Sequence, residues 1–508
     1  MPQKGYGRLL IMLIISFLPP RTVVFFPTFV ATMSKEKDHL LGLIRSGQPM
    51  SLRQQVKLTL LLCAPAVLAQ VATILLQFID TAMVGSLGAG PSASIGLVAT
   101  TTWILAGFCM ATSQGFSVQV AHLVGSNDFV NARKVMRQGL TSVLLFSLLI
   151  MLIGLSVSGG LPRWLGGQED ILEDAAGYFR IFCWFIPTMQ VSFFAGSMLQ
   201  CSGNMKVPSL LNIFMCVLDA LLNFFLIFPT RAVSLAGLSF TLPGAGMGVR
   251  GAALGTGLAE AITALLMLYF LLVRSKELGI RRERGSFVPA AVTLKNAFGI
   301  TGPMWLQNVI MRGAHIASTV IIAPLGAVSI AANAFAITAE SFCYMPGYGM
   351  GDAATTLVGQ SLGARREDFA RHFSGICSLL GMAMMSALAV VMYIFAPQIM
   401  SLLSNDAEVV ALGARVLRIE AFAEAGYAAA IVAYGSCVGA GDTLVPSIIN
   451  LGSMWLVRIV PAIFLTRHFG LVGYWMVMCV ELNVRGIAMF LRTRGRGWTR
   501  KALAIEKT

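Results

Sequence analysis

The sequence predicts an all-α polytopic membrane protein, with twelve transmembrane helices in two homologous six-helix bundles. Three observations carry this. Of 508 residues, 56% are hydrophobic and 12% charged, whereas a soluble domain keeps roughly a quarter of its residues charged. Apolar stretches recur to the C-terminal end, each near the roughly 20 residues that a spanning helix needs. And the chain repeats itself at a shift of 238 residues: "CSGNMKVPSLLN" (201–212) matches "GAGDTLVPSIIN" (439–450), Arg180-Ile181 matches Arg418-Ile419, Leu87-Gly88 matches Leu325-Gly326, and Pro65 matches Pro303. "LVGS" at 123 and "LVGQ" at 357 correspond with a four-residue slip.

In chain order, residues 1–57 read as an N-terminal cytoplasmic segment. Its first part, "RLLIMLIISFLPPRTVVFFPTFVAT", is broken by Pro19, Pro20 and Pro27 into pieces too short to span. From Met33 the chain looks like an ordinary cytoplasmic start, so 1–32 is expected to be a mis-assigned start, with an interfacial segment as the alternative. Helices 1 to 6 are expected near 58–84, 93–120, 138–160, 176–200, 208–229 and 248–273, forming an N-lobe over 58–273. A basic loop, 274–296, follows. Helices 7 to 12 are expected near 297–323, 328–357, 373–398, 408–437, 446–466 and 470–491, forming a C-lobe over 297–492, with a tail over 493–508.

Charge orients this arrangement. Arg133, Lys134, Arg137, Lys206, the six Lys and Arg residues between 274 and 295, Arg365, Arg366, Arg371 and the tail arginines all fall on one side of a twelve-helix layout. The positive-inside rule then puts both termini in the cytoplasm. The net charge of +14 is therefore a topology signal and not a sign of nucleic-acid binding. The nine cysteines are scattered, with no CxxC and no Cys/His cluster, and read as small buried hydrophobes rather than disulfides or metal ligands. No Walker A, HExxH or plausible GxSxG triad is present, so neither an enzyme nor an ATP-driven pump is expected.

A charge at the bilayer centre costs about 2.5–3.5 kcal/mol on the insertion scale, so each intramembrane acid needs a reason. Asp80 lies near the outer end of helix 1, past Pro65. On helix 5, Asp219 and Asn223 are four apart and share one face. Two carboxylates and an amide in one apolar bundle suit a hard monovalent cation, with Asp80, Asp219 and Asn223 as its ligands if that cation is sodium; they equally suit a proton. The repeat offers a control: these positions map to Ser318, Val457 and Pro461, so the cluster is specific to the N-lobe. The C-lobe carries its own polar set: Asn308, Arg312 and His315 on helix 7; Glu340, Tyr344, Tyr348 and Asp352 on helix 8; Glu420, Glu424, Tyr427 and Tyr434 on helix 10; Arg458 on helix 11. Arg312 and Arg458 are expected to pair with some of the four acids, leaving surplus negative charge. Acids with tyrosines suit an organic cation. His315 reads as a hydrogen-bonding residue, with proton carrier as the alternative. Glu481 and Arg485 read as an intrahelical pair, and Glu260 has no evident partner.

"FIDT" ending helix 1, "VG(S/Q)" closing helices 2 and 8, "GNMKVPS" and "GDTLVPS" after helices 4 and 10, and "LDALLNFFLIF" in helix 5 together resemble the multidrug and toxic compound extrusion (MATE) family over residues 51 to about 492. The resemblance implies a V-shaped pair of bundles and a cation-coupled antiporter, in which sodium or proton entry drives export of cationic, often aromatic compounds. It places Asp80 in the N-lobe cation site. Relatives show Asn and then Asp on helix 5, and here the order is reversed. The acid that some relatives carry on helix 7 is Met311 here, and their helix 10 acid is Tyr427, with Glu424 one turn earlier, so coupling is expected through the N-lobe, with a preference for the proton. The resemblance further implies a bacterial inner-membrane protein that needs no cofactor and works as a monomer. The alternative is a lipid-linked oligosaccharide flippase of the same superfamily.

Overall fold

The structure is a computed structural model that describes residues 25–235, 238–280 and 285–500. The expectation for residues 1–32 therefore falls largely outside the described residues.

A helix over Phe25–Arg45 precedes the spanning helices. The N-lobe helices are α1 (Leu52–Gly85), α2 (Ala89–Gly125), α3 (Phe129–Val157), α4 (Glu169–Cys201), α5 (Lys206–Ile227) and α6 (Gly248–Tyr269), the last closing in a π-helical turn to Arg274. The C-lobe helices are α7 (Ala291–Ile322), α8 (Ala327–Gly363), α9 (Glu367–Leu403), α10 in two pieces (Ala407–Glu420 and Glu424–Gly439), and α11, which starts as Leu444–Gly452 and passes through a π-helical stretch, Ser453–Ile459. The helix over Val460–Arg494 is broken by Gly470 at φ +59° and ψ −144°, which separates the end of α11 from α12. Only glycine adopts that conformation without strain. Sequence patterning missed the break in α10 and an antiparallel hairpin, β1 (Pro229–Leu235) with β2 (Leu238–Ala245), between α5 and α6.

Local chemistry sets the helix ends. Ser51 caps α1 in a reciprocal capping box with Gln54, and Asp128 and Asp406 accept backbone N–H bonds at the starts of α3 and α10. The 238-residue shift reappears in backbone form. Gly88 and Gly326 open α2 and α8 at positive φ, Gly203 and Gly441 precede α5 and α11 in the same way, and Asn127 and Arg365 both take φ near +60° after α2 and α8. Helices α2 and α8 begin and end 238 residues apart, so the "LVGS"/"LVGQ" slip is not structural: Gly125 is the equivalent of Gly363.

In lipid, helices gain little from burying apolar surface against each other and associate through close packing of small residues. Two seams join the lobes in this way. Along α1 and α8, Phe78 stacks on Phe342 at 5.1 Å, and a Cβ on Gly349 would lie 2.7 Å from the Val67 backbone. Along α2 and α7, Thr301 donates to the Ala111 carbonyl (3.3 Å) and Trp305 Nε1 to the Phe108 carbonyl (3.2 Å). The basic ends of α2 and α8 cross where Gly125 meets the Gln360 carbonyl and Gly363 meets the His122 carbonyl, a contact that maps onto itself under the repeat. All nine cysteines are free, and eight are buried.

Candidate cation site in the N-lobe

The N-lobe acids converge. Helix α1 brings Asp80 against α5, where the four-residue spacing puts Asp219 and Asn223 on one buried face. Asn223 Nδ2 donates to Asp80 Oδ1 and to Asp219 Oδ1, each at 3.0 Å. One amide thus bridges two carboxylates from different helices. Asp219 is 0% exposed and Asn223 1%. Asp219 Oδ2 and Asn223 Oδ1 have no partner, and no Lys or Arg among the described residues forms an ion pair with either acid. Buried oxygens of this kind are costly unless something satisfies them, and an all-oxygen set suits a proton or a hard cation.

Sequence reasoning missed part of the surroundings. Tyr178 of α4 interacts with both carboxylates, and Thr256 and Glu260 of α6 interact with Asp219, so Glu260 belongs to this neighbourhood. Ser192 of α4 lies beside it. Helix α6 comes this close because Gly255 has no side chain: a Cβ there would lie 2.1 Å from Asn223 Oδ1. The available signal was the run Gly255-Thr256-Gly257, small residues of the type that let helices touch. Gly255→Ala is expected to push Asn223 off its bridge and reduce transport about tenfold or more, the worth of one to two hydrogen bonds to charged groups. Wild-type efflux by that variant in liposomes would show that the contact is not needed.

The C-lobe corrects an expectation. Arg458 does not pair with Glu340, Asp352, Glu420 or Glu424. Its Nε and Nη2 bind Glu481 Oε2 at 2.9 and 2.5 Å, while Arg485 Nε (2.7 Å) and the Ser453 hydroxyl (2.6 Å) bind Glu481 Oε1. The π-helical stretch of α11 places Ser453 and Arg458 together against α12, where Glu481 is already within reach of Arg485. Arg312 pairs with none of the acids either. Its guanidinium lies over the Trp103 ring of α2 at 5.1 Å, across the seam. Among the described residues Glu340, Glu420 and Glu424 form no ion pair. All three are buried, and both oxygens of Glu420 and of Glu424 lack partners.

The remaining positions fall around the seam. Asn308 packs against Gly107, where a Cβ would lie 2.2 Å from its amide nitrogen. His315 is exposed on α7. The Tyr427 ring packs at a tilt on Tyr344 at 5.6 Å, and Tyr344 meets Tyr348 edge-to-face at 6.1 Å. Asp352 lies farther along α8, near Cys63, apart from the glutamates.

The MatE family model matches residues 65–225 and 303–464, once in each lobe. The chain belongs to the MATE family. MATE proteins are transporters, and the many long apolar helices make this chain an integral membrane protein. It is 24% identical to a probable multidrug resistance protein NorM of Mannheimia succiniciproducens, over 86% of this chain and 93% of that protein. It is 25% identical to the multidrug resistance protein MdtK of Yersinia pestis, over 87% and 95%. A crystal structure of a mutant of the Vibrio cholerae MATE transporter VcmN superposes with a TM-score of 0.79 at 18% identity, over 90% and 98% of the two chains. That last likeness speaks for the MATE fold, which matches the two-bundle architecture described above.

Proposed function

We propose that this protein is a secondary antiporter that exports organic cations in exchange for protons or sodium by alternating access. One observation carries the reading: two carboxylates, the half-buried Asp80 and the buried Asp219, share the single amide of Asn223 with no cationic partner among the described residues. A site of this kind binds a proton or a sodium ion and must release it. Asp80 belongs to α1, which packs on both α5 and the opposite lobe's α8. Occupancy of the site therefore bears on a helix at the lobe interface, and a ligand that binds two arrangements unequally shifts the balance between them. If the same two arrangements bind the exported compound unequally, ion and compound are coupled.

The substrate class is supported by the names of the multidrug resistance relatives and by the chemistry of the seam. Tyr348 exposes its ring there, beside Tyr344, and aromatic faces attract organic cations. Glu340, Glu420 and Glu424, which form no ion pair among the described residues, lie near Tyr344 and Tyr427 of the same region. The basic ends of α2, α4, α6 and α8 are taken as cytoplasmic, which puts both termini on the cytoplasmic side of a bacterial inner membrane, and a single chain contains both lobes.

The test is efflux of a fluorescent organic cation from liposomes holding the purified protein, under a proton gradient or a sodium gradient imposed separately. Export driven by one gradient is expected and names the ion. No export under either overturns the reading and favours an anionic, lipid-linked substrate.

A further inference from the structure

The segment ahead of α1 is built into both lobes. Leu40, Leu41 and Ile44 are buried, with Met50, in a cluster formed by Leu58 and Leu62 of α1, Met205 ahead of α5, Leu357 of α8 and Phe373 of α9. Polar contacts fasten the same segment on either side. Toward the N-lobe, Glu36 pairs with Lys57 of α1, Asp38 lies 3.3 Å from Lys276 in the loop after α6, and the Arg45 carbonyl accepts from Asn127 at 3.1 Å. Toward the C-lobe, the Gln48 carbonyl accepts from Arg366 at 3.4 Å.

Arg45 joins the two sides in one group. Its Nη2 donates to the Ser202 carbonyl at the end of α4 (3.2 Å), and Nε and Nη2 both reach Gln360 Oε1 of α8 (3.3 Å). Nη1 lies 3.7 Å from Glu277, and the guanidinium sits over the Phe129 ring of α3. Gln360 in turn donates to the Cys201 carbonyl at 2.8 Å. A guanidinium is planar and rigid, so it keeps the α4 end and α8 as partners only while they stay within its own width. Moving the lobes apart on this face by a few ångströms breaks one set of bonds and opens the apolar cluster.

We propose that residues 35–50 are a strap that holds the lobes together on the basic face, and that this face opens only when Arg45 lets go of Gln360. The proposal rests on the alternating-access reading for its purpose. Its contacts and its test do not depend on any substrate. The strap favours the closed arrangement by bonds that the open one lacks, and so sets the balance between the two.

The experiment places spin labels at Lys134→Cys on α3 and His372→Cys on α9, both exposed, on the basic face and in opposite lobes, and reads their separation by pulsed electron resonance in nanodiscs. The parent protein is compared with Arg45→Ala, which removes the strap's bridge, and with Gln360→Ala, which removes the C-lobe end of the bridge together with the direct Gln360–Cys201 bond. Each variant is expected to raise the ratio of long to short separations about tenfold, the worth of a hydrogen bond to a charged group. If Arg45→Ala does not fold, Arg45→Lys, which keeps the charge but not the fork that reaches Ser202 and Gln360 together, still decides. Unchanged separations in a folded variant overturn the strap. Dye efflux by the same variants in liposomes keeps the two ideas apart: unchanged separations with intact efflux remove the strap and leave the antiporter, and shifted separations without efflux do the reverse.

Discussion

Asp80→Asn yields a folded protein that does not export. Asparagine has the shape of aspartate, and its side-chain oxygen still accepts from Asn223 Nδ2, the bond now made at 3.0 Å. The bridge between α1 and α5 therefore persists, and folding is unaffected. What is lost is the charge. A carboxylate and a cation in contact attract by roughly 5 kcal/mol even at an effective dielectric constant of about 20. Asparagine supplies none of this and takes up no proton, so the ion exchange proposed to drive export is expected to stop. The measurement is dye efflux from liposomes beside a size-exclusion profile of the variant. Export near the rate of protein-free liposomes, with a monodisperse profile, is the expected outcome. Normal export would show that Asp80 plays no part in coupling.

Arg458→Ala has its largest effect on stability. Glu481 is 0% exposed and is held by Arg458, Arg485 and Ser453 together. Removing Arg458 strips two bonds from one carboxylate oxygen in a site that water does not reach. Hydrogen bonds to charged groups are worth about 1.5–3 kcal/mol each, so losing two costs about 3–6 kcal/mol. Arg485 stays in place, so the loss falls toward the lower end of that range. Thermal unfolding in detergent should show a melting point several degrees below the parent, since about 1 kcal/mol already moves the midpoint of a large domain by roughly 2–4 °C. Arg458→Ala with an unchanged melting point would mean that Arg485 alone suffices.

The N-lobe site was legible early because a carboxylate in an apolar run is conspicuous. Asp80 and Asp219 stand out against uncharged neighbours, and helical spacing alone puts Asn223 beside Asp219. The C-lobe resisted the same reasoning. Arg458 and Glu481 are 23 residues apart on separate helices, and spacing says nothing about which of several acids an arginine will meet. The α10 break hid for a related reason. "RIEAFAEAG" contains no proline, and only the structure shows the chain leaving the helix over 421–423. Gly255 was invisible as well, because a glycine in a spanning helix shows its purpose only when the neighbour that it admits is known.

The sequence by itself determined the twelve helices, the repeat and the two acids of the N-lobe, since hydropathy, a fixed shift and isolated charges are all written along one dimension. The tertiary structure alone decided that one amide joins Asp80 to Asp219, that Arg458 answers Glu481 and not the helix 8 and helix 10 glutamates, and that the segment before α1 spans both lobes. Those pairings are set by distances of about 3 Å between atoms on different helices, and helix packing establishes them where residue order cannot.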